Sequence, residues 1–129
     1  MSVDLTIVTP SQIAFQGSAA EVQLPGFNGE MGVLPDHAAL LTLARPGVVT
    51  IHNGADTKRL FVGKGVAEVG PQQVTLLVDL CEDPASVDKA AAQVDLSEAM
   101  AALKDIAPGT PERAAAEDRI AFLRVLTSA

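Results

Sequence analysis

The sequence contains no Trp and no Tyr, and its four Phe bring the aromatic share to only 3% of 129 residues. That excludes a stacking platform for single-stranded nucleic acid, which needs aromatic rings. Cations are also scarce: nine Lys and Arg stand against sixteen Asp and Glu, a net charge of −7. A duplex-binding surface or an anionic lipid surface requires clustered cations, so neither nucleic acid nor lipid is expected as a direct partner. Cys81 is the one cysteine, which rules out an internal disulfide framework and suits a reducing compartment. No apolar run approaches the roughly 18 residues of a membrane-spanning helix. The opening Met1-Ser2-Val3-Asp4 lacks the basic region and apolar stretch of a signal peptide. Membrane association is therefore expected only through another protein.

What is present is aliphatic. Val, Leu, Ile and Ala supply most of the 48% hydrophobic content, enough for one ordinary core with or without an appendage. The composition changes near residue 82. Nine of the ten glycines and three of the four Phe precede it, and alanine dominates after it. Val3–Val8, Ile13–Phe15 and Ala20–Leu24 read as short strands separated by turn residues. Asn28-Gly29 and Asn53-Gly54 predict two-residue hairpins with both turn residues at positive φ. Val48–Ile51 and Arg59–Val62 are the arms of the second, and Gly65–Val69 with Val74–Val78 form a further hairpin. Short strands at this spacing indicate a sandwich or barrel.

Beyond Cys81 the period becomes helical. Asp83-Pro84 or Ser86 is expected to cap a first helix, with Leu96, Met100, Leu103 and Ala107 on one face and Ala107-Pro108-Gly109 as its stop. Thr110 and Pro111 are placed to start a second helix, whose inner face is Ala116, Ile120 and Leu123, flanked by Phe122 and Leu126. The expected fold is mainly β with α: a β-sandwich over residues 1–82, then an antiparallel two-helix hairpin over 83–129.

Chemistry is thinly supplied. A Cys–His enzyme would need Cys81 beside His37 or His52, and a buried thiol closing an apolar run is the plainer reading of Cys81. Glu30, Asp36 and His37 lack metal-ligand spacing, so no metal is expected. Gly63-Lys64-Gly65 fails as a phosphate loop, because Lys58 stands at the first glycine and Gly65 where Ser or Thr belongs; its glycines suggest a bulge or close strand packing. The densest local signal is Pro25 to His37. Its glycines and prolines present Glu30, Asp36 and His37 beside Phe27, Met31 and Leu34, a surface shaped for a protein partner. A free-standing protein-binding sandwich is the alternative reading.

The stretch Pro25-Gly26-Phe27-Asn28-Gly29-Glu30-Met31-Gly32-Val33-Leu34-Pro35-Asp36-His37-Ala38-Ala39-Leu40-Leu41-Thr42 resembles the epsilon subunits of F-type ATP synthases. Arg45-Pro46-Gly47-Val48-Val49, Ala67-Glu68-Val69 with Val74–Asp79, and the tail at Leu123-Arg124-Val125 are similar too. The resemblance implies a sandwich of about ten strands in two sheets and a non-catalytic place in the central stalk, between the gamma subunit and the c-subunit ring. It implies ring contact through Gly29, Glu30 and Met31, and gamma contact through His37, Ala38, Leu41 and Thr42. The helices are implied to reach alpha and beta subunits and to inhibit ATP hydrolysis; here Arg113, Arg119 and Arg124 against Glu112, Glu117 and Asp118 leave the second helix neutral, so the inhibition is expected to be weak. The implied location is the cytoplasmic face of the bacterial inner membrane, peripheral and within the complex. Some relatives bind ATP at the start of the first helix; here Asp88 is kept but Ala91 replaces the arginine, so no nucleotide and no other cofactor is expected. Asp36 and Lys64 stand where glycine is common among relatives.

Overall fold

The computed structural model describes residues 2–128. Ten strands come first: β1 (Val3–Thr9), β2 (Gln12–Ala19), β3 (Glu21–Gly26), β4 (Gly29–Val33), β5 (Leu40–Ala44), β6 (Gly47–Asn53), β7 (Asp56–Val62), β8 (Gly65–Val69), β9 (Gln73–Val78) and β10 (Cys81–Glu82). A 3₁₀ turn at Pro84–Ser86 leads to helices α1 (Lys89–Leu103) and α2 (Pro111–Ser128).

The strands form two layers. One runs β4-β3-β6-β7-β10 and the other β5-β8-β9-β1-β2, joined by the single backbone pair Gly26–Ala44. Neighbouring strands are antiparallel except β1 and β9, which run parallel. Alternation along each strand sends one side chain set inward. Val3, Leu5 and Ile7 from β1, Val22 and Leu24 from β3, and Val74, Leu76 and Val78 from β9 belong to one buried aliphatic cluster. Burying each such side chain contributes about 1.5–3 kcal/mol, so this cluster holds the layers together.

The hairpins lie where the Asn-Gly pairs predict them, but each turn is shifted by one residue. Gly26 pairs with Gly29, so Phe27 and Asn28 are the turn residues, and only Gly29 has a positive φ, 121°. Asn53 pairs with Asp56, leaving Gly54 (φ 63°) and Ala55 at the turn. Glycine in the first turn position is the requirement of a type II′ turn. Asn53 is instead held by its amide, which accepts from the Ala20 N–H and donates to the Ser18 carbonyl. Gly65 lies directly against the Leu77 carbonyl, and Gly63 against the Asp79 carboxylate; a Cβ at either position would overlap them.

The first helix also differs from expectation. Asp83 caps the 3₁₀ turn, whereas Asp88 caps α1, its carboxylate accepting from the Ala91 N–H at 3.0 Å. α1 ends at Leu103, before Ala107. Ala92, Leu96, Ala99 and Leu103 are its less exposed positions, while Met100 is 44% exposed. Leu96 and Leu103 keep the expected face, which centres on Ala92, Leu96, Ala99 and Leu103 and leaves Met100 at its exposed flank. In α2, Thr110 accepts from the Arg113 N–H and Pro111 is the first residue, as predicted. Ile120, Phe122 and Leu123 are buried. α2 packs on β6 and β7, over the outward side of that sheet. Phe61 and Thr50 point to that side and are nonetheless 3% and 8% exposed.

Candidate partner interface

The outer side of the other sheet has no such cover. Leu43 of β5 pairs with Val66 of β8, Val66 with Leu77 of β9, Leu77 with Val8 of β1, and Val8 with Ile13 of β2. Directly opposed residues share a face, so these side chains form one apolar row about 19 Å long at the usual strand spacing. Leu43, Leu77 and Ile13 are 56%, 47% and 60% exposed. Leu41, 68% exposed, stands beside the row on the same face, opposite Glu68. Such a contiguous row marks a surface made to be covered. Adjacent apolar pairs such as Ile7-Val8 and Leu76-Leu77 are the signal for a strand buried on both faces, and sequence reasoning passed over them.

The residues implicated by resemblance spread over three places. Gly29 and exposed Glu30 stand at the edge of the β3–β4 hairpin, but Met31 turns inward and packs on the core. His37 and Ala38 lie in the link to β5. There the His37 N–H donates to the Leu34 carbonyl at 3.2 Å, the Asp36 N–H donates to the Pro71 carbonyl at 2.6 Å, and Asp36 takes φ 67°. This turn, with Pro35 in its first corner and a positive φ in its second, has the arrangement of a type II turn. The His37 ring contacts the Ala38 carbonyl at 2.7 Å. Leu41 faces outward, whereas Thr42 is half-buried on the inner side of β5. Beside the hairpin tip, the Arg45 guanidinium lies 5.0 Å above the Phe27 ring.

The sheet register keeps Cys81 and His52 apart. Cys81 pairs with Val62, which pairs with Gly47, and His52 lies five positions further along β6, about 17 Å at 3.3 Å per residue. His52 is engaged by Gln23 and Thr57. Burial, with Glu82 and Asp83 adding to it, pushes the Cys81 thiol above its ordinary pKa, away from the reactive thiolate. Among the described residues no three His, Cys, Asp or Glu side chains gather to hold a metal. At the start of α1, a groove of about 200 Å³ is lined by Glu82, Asp88 and Asp95 with Ala91, Leu123 and Leu126, and by no Lys or Arg. Three carboxylates there repel a phosphate, and the Asp88 carboxylate is already engaged at the helix cap.

A two-layer sandwich with an uncovered apolar face defines a protein-binding domain. Residues 2–84 match the family described as ATP synthase, Delta/Epsilon chain, beta-sandwich domain. The chain is 42% identical over 92 residues to the ATP synthase epsilon chain of Acidithiobacillus ferridurans, a match spanning 71% of this chain and 65% of that one. It is 36% identical over 119 residues to the epsilon chain of Synechococcus sp. (strain CC9311), spanning 91% and 88%. A chain of the Euglena gracilis mitochondrial ATP synthase (OSCP/F1/c-ring) shares the fold, with a TM-score of 0.82 over 98% of this chain and 80% of that one, at 21% identity. The chain belongs to the ATP synthase epsilon chain family.

Proposed function

We propose that this chain is a central-stalk subunit that couples rotation of the c-subunit ring, through gamma, to ATP synthesis. It catalyses nothing itself. The gamma subunit covers the outer face of the β5-β8-β9-β1-β2 sheet, and Glu30 at the β3–β4 hairpin meets the polar loops of the ring. The chain is held at the cytoplasmic face of a bacterial inner membrane as a peripheral part of the complex. No helix among the described residues is long and apolar enough to cross a membrane. Residues 83–129 are a separate helical unit that reaches the alpha and beta subunits and restrains ATP hydrolysis weakly. α2 carries three Arg against two Glu and one Asp, 3 − 3 = 0, so its pull toward an acidic surface is small.

The apolar row Leu43–Val66–Leu77–Val8–Ile13 supports this reading best, because a rotor subunit needs a broad face that grips without titrating or slipping. Central apolar anchors dominate such interfaces. The double variant Leu43→Asp, Leu77→Asp is expected to keep its circular dichroism spectrum and to lose gamma in co-purification. Retention of gamma at the wild-type level overturns the assignment of this face. Glu30→Ala is expected to weaken coupling modestly, since an exposed rim charge contributes about a kcal/mol or less.

A further inference from the structure

We propose that Arg45 is the polar anchor of the partner face, where it takes a carboxylate from the subunit that covers the apolar row. This rests on the reading that gamma covers that row. Leu43 and Val66, at one end of the row, also wall a cleft of about 380 Å³ with Phe27, Arg45 and Pro46. A partner lying on the row therefore reaches the cleft without a gap. Lys64 and Asp118 line the cleft too, and they answer each other as an ion pair. Arg45 takes part in none of the ion pairs among the described residues, although it belongs to a chain with a net charge of −7. The cation left over at the cleft is thus Arg45.

The guanidinium is held ready for a ligand. Its backbone N–H donates to the Pro25 carbonyl at 2.8 Å, next to the Gly26–Ala44 pair that joins the two sheets. Pro46 follows and restricts the Arg45 backbone further. The side chain lies over the Phe27 ring, 5.0 Å from its centroid. A guanidinium resting on a ring keeps its N–H edge available, and that edge fits a carboxylate through two parallel bonds. A subunit that covers the row takes water away from this exposed edge. Left unanswered, the buried charge would oppose binding. A partner Asp or Glu turns the same burial into attraction. Charge complementarity therefore selects an acidic side chain here, beside the apolar ones that meet Leu43 and Val66. A preorganised arginine at the end of an apolar face also has the character of a binding hot spot.

The test rebinds the full chain to the gamma-containing complex from which it has been removed, and reads the rate of dissociation. Arg45→Gln is expected to leave about tenfold faster or more, the scale of a desolvated charge pair. Arg45→Lys should recover only part of this, because an ammonium lacks the fork. Phe27→Leu, which removes the supporting ring, should dissociate about threefold faster. Arg59→Gln, which removes an exposed charge from β7 in the other sheet, should keep the parent rate. Parent-rate dissociation of Arg45→Gln, or equal acceleration by Arg59→Gln, overturns the anchor. If Leu43→Asp, Leu77→Asp loses gamma in that case, the covered face stands and the anchor alone falls; if it keeps gamma, both fall. Should Arg45→Gln fail to fold, Arg45→Lys decides: faster dissociation supports the anchor, and the parent rate overturns it.

Discussion

Arg113 ties down the connection that leaves the neighbouring helix: its Nη1 lies 3.0 Å from the carbonyl oxygen of Ile106, three residues beyond the end of α1. The last carbonyls of a helix have no partner within it, and this guanidinium also reaches Leu103 at 3.3 Å. Arg113 is therefore committed to the hairpin and is not free to answer an acidic surface. Arg113→Ala is expected to destabilise the hairpin by about 1–2 kcal/mol, read as faster amide exchange over residues 103–110. Arg113→Lys should recover only part, because a single ammonium lacks the fork that serves both carbonyls and Glu117. Unchanged exchange in both variants would show that water satisfies those carbonyls equally well.

At Asp36 the backbone sits at φ 67°, a region that side chains other than Gly, Asn and Asp rarely enter. Glycine removes the steric cost but adds entropy to the unfolded chain. The net effect of Asp36→Gly is expected to be stabilisation of up to about 1 kcal/mol, measured by urea denaturation. A fall in the midpoint would mean that the Asp36 side chain contributes more than its conformation costs.

Gly65 tolerates no side chain, because the Leu77 backbone carbonyl occupies the Cβ position. Backbone cannot rotate aside as a side chain can. Gly65→Ala is therefore expected to cost about 2–4 kcal/mol, or to yield insoluble protein. Gly70→Ala serves as the control, since the nearest atom to its added Cβ is 3.5 Å away.

The raised pKa of Cys81 has a defined pH consequence. The folded chain keeps the thiol proton to higher pH than the unfolded chain. Its contribution to stability is thus fully present below the ordinary thiol range, about 8.5, and is lost as pH rises through the folded value. Stability measured from pH 8 to 11 should fall less steeply in Cys81→Ala than in the parent. Iodoacetamide labelling of Cys81 should reach half its maximal rate at higher pH than free cysteine in the same buffer. Half-maximal labelling at or below the pH for free cysteine would contradict the burial argument.

The groove at α1 predicts feeble nucleotide binding. Its carboxylates repel phosphate, and a charge-assisted bond from an arginine, about 1.5–3 kcal/mol, is missing at Ala91. Calorimetry with ATP should show no micromolar site on the isolated chain. Removing residues 84–129 should raise ATP hydrolysis by the complex only slightly. A large rise would mean that the helices act through contacts other than net charge.

Local rules carried the reading of most elements. Strand alternation and Asn-Gly pairs located the hairpins, and helical periodicity located α1 and α2. The second turn falls one residue later than Asn53-Gly54 because Asn53 bonds to Ser18 and Ala20 rather than entering positive φ; the first falls one residue earlier than Asn28-Gly29. The first helix is capped by Asp88 rather than by Asp83 or Ser86, and Met100 lies at the exposed flank of the face that Leu96 and Leu103 share, a choice that packing rather than periodicity makes. The pairing of β1 with β9, the Gly26–Ala44 junction and the Lys64–Asp118 contact join residues far apart in the chain, and no local pattern encodes them. The apolar row was present in the sequence as doubled aliphatic pairs, but only the register lines them up. The loop from Pro25 to His37 drew attention by its composition, yet the structure divides it among a hairpin tip, a core contact at Met31 and a type II turn.

Because Val3–Thr9 lies between β2 and Gln73–Val78, β1 leaves the ribosome long before the strand that completes its sheet. Synthesis delivers the helices only after that, so they arrive at a finished sandwich. Closing a contact of such sequence separation is slow, and until then the β1–β2 hairpin carries an open edge prone to mispairing. A stalled nascent chain ending at residue 70 should remain protease-sensitive throughout, whereas one in which residue 83 has cleared the exit tunnel should protect β1.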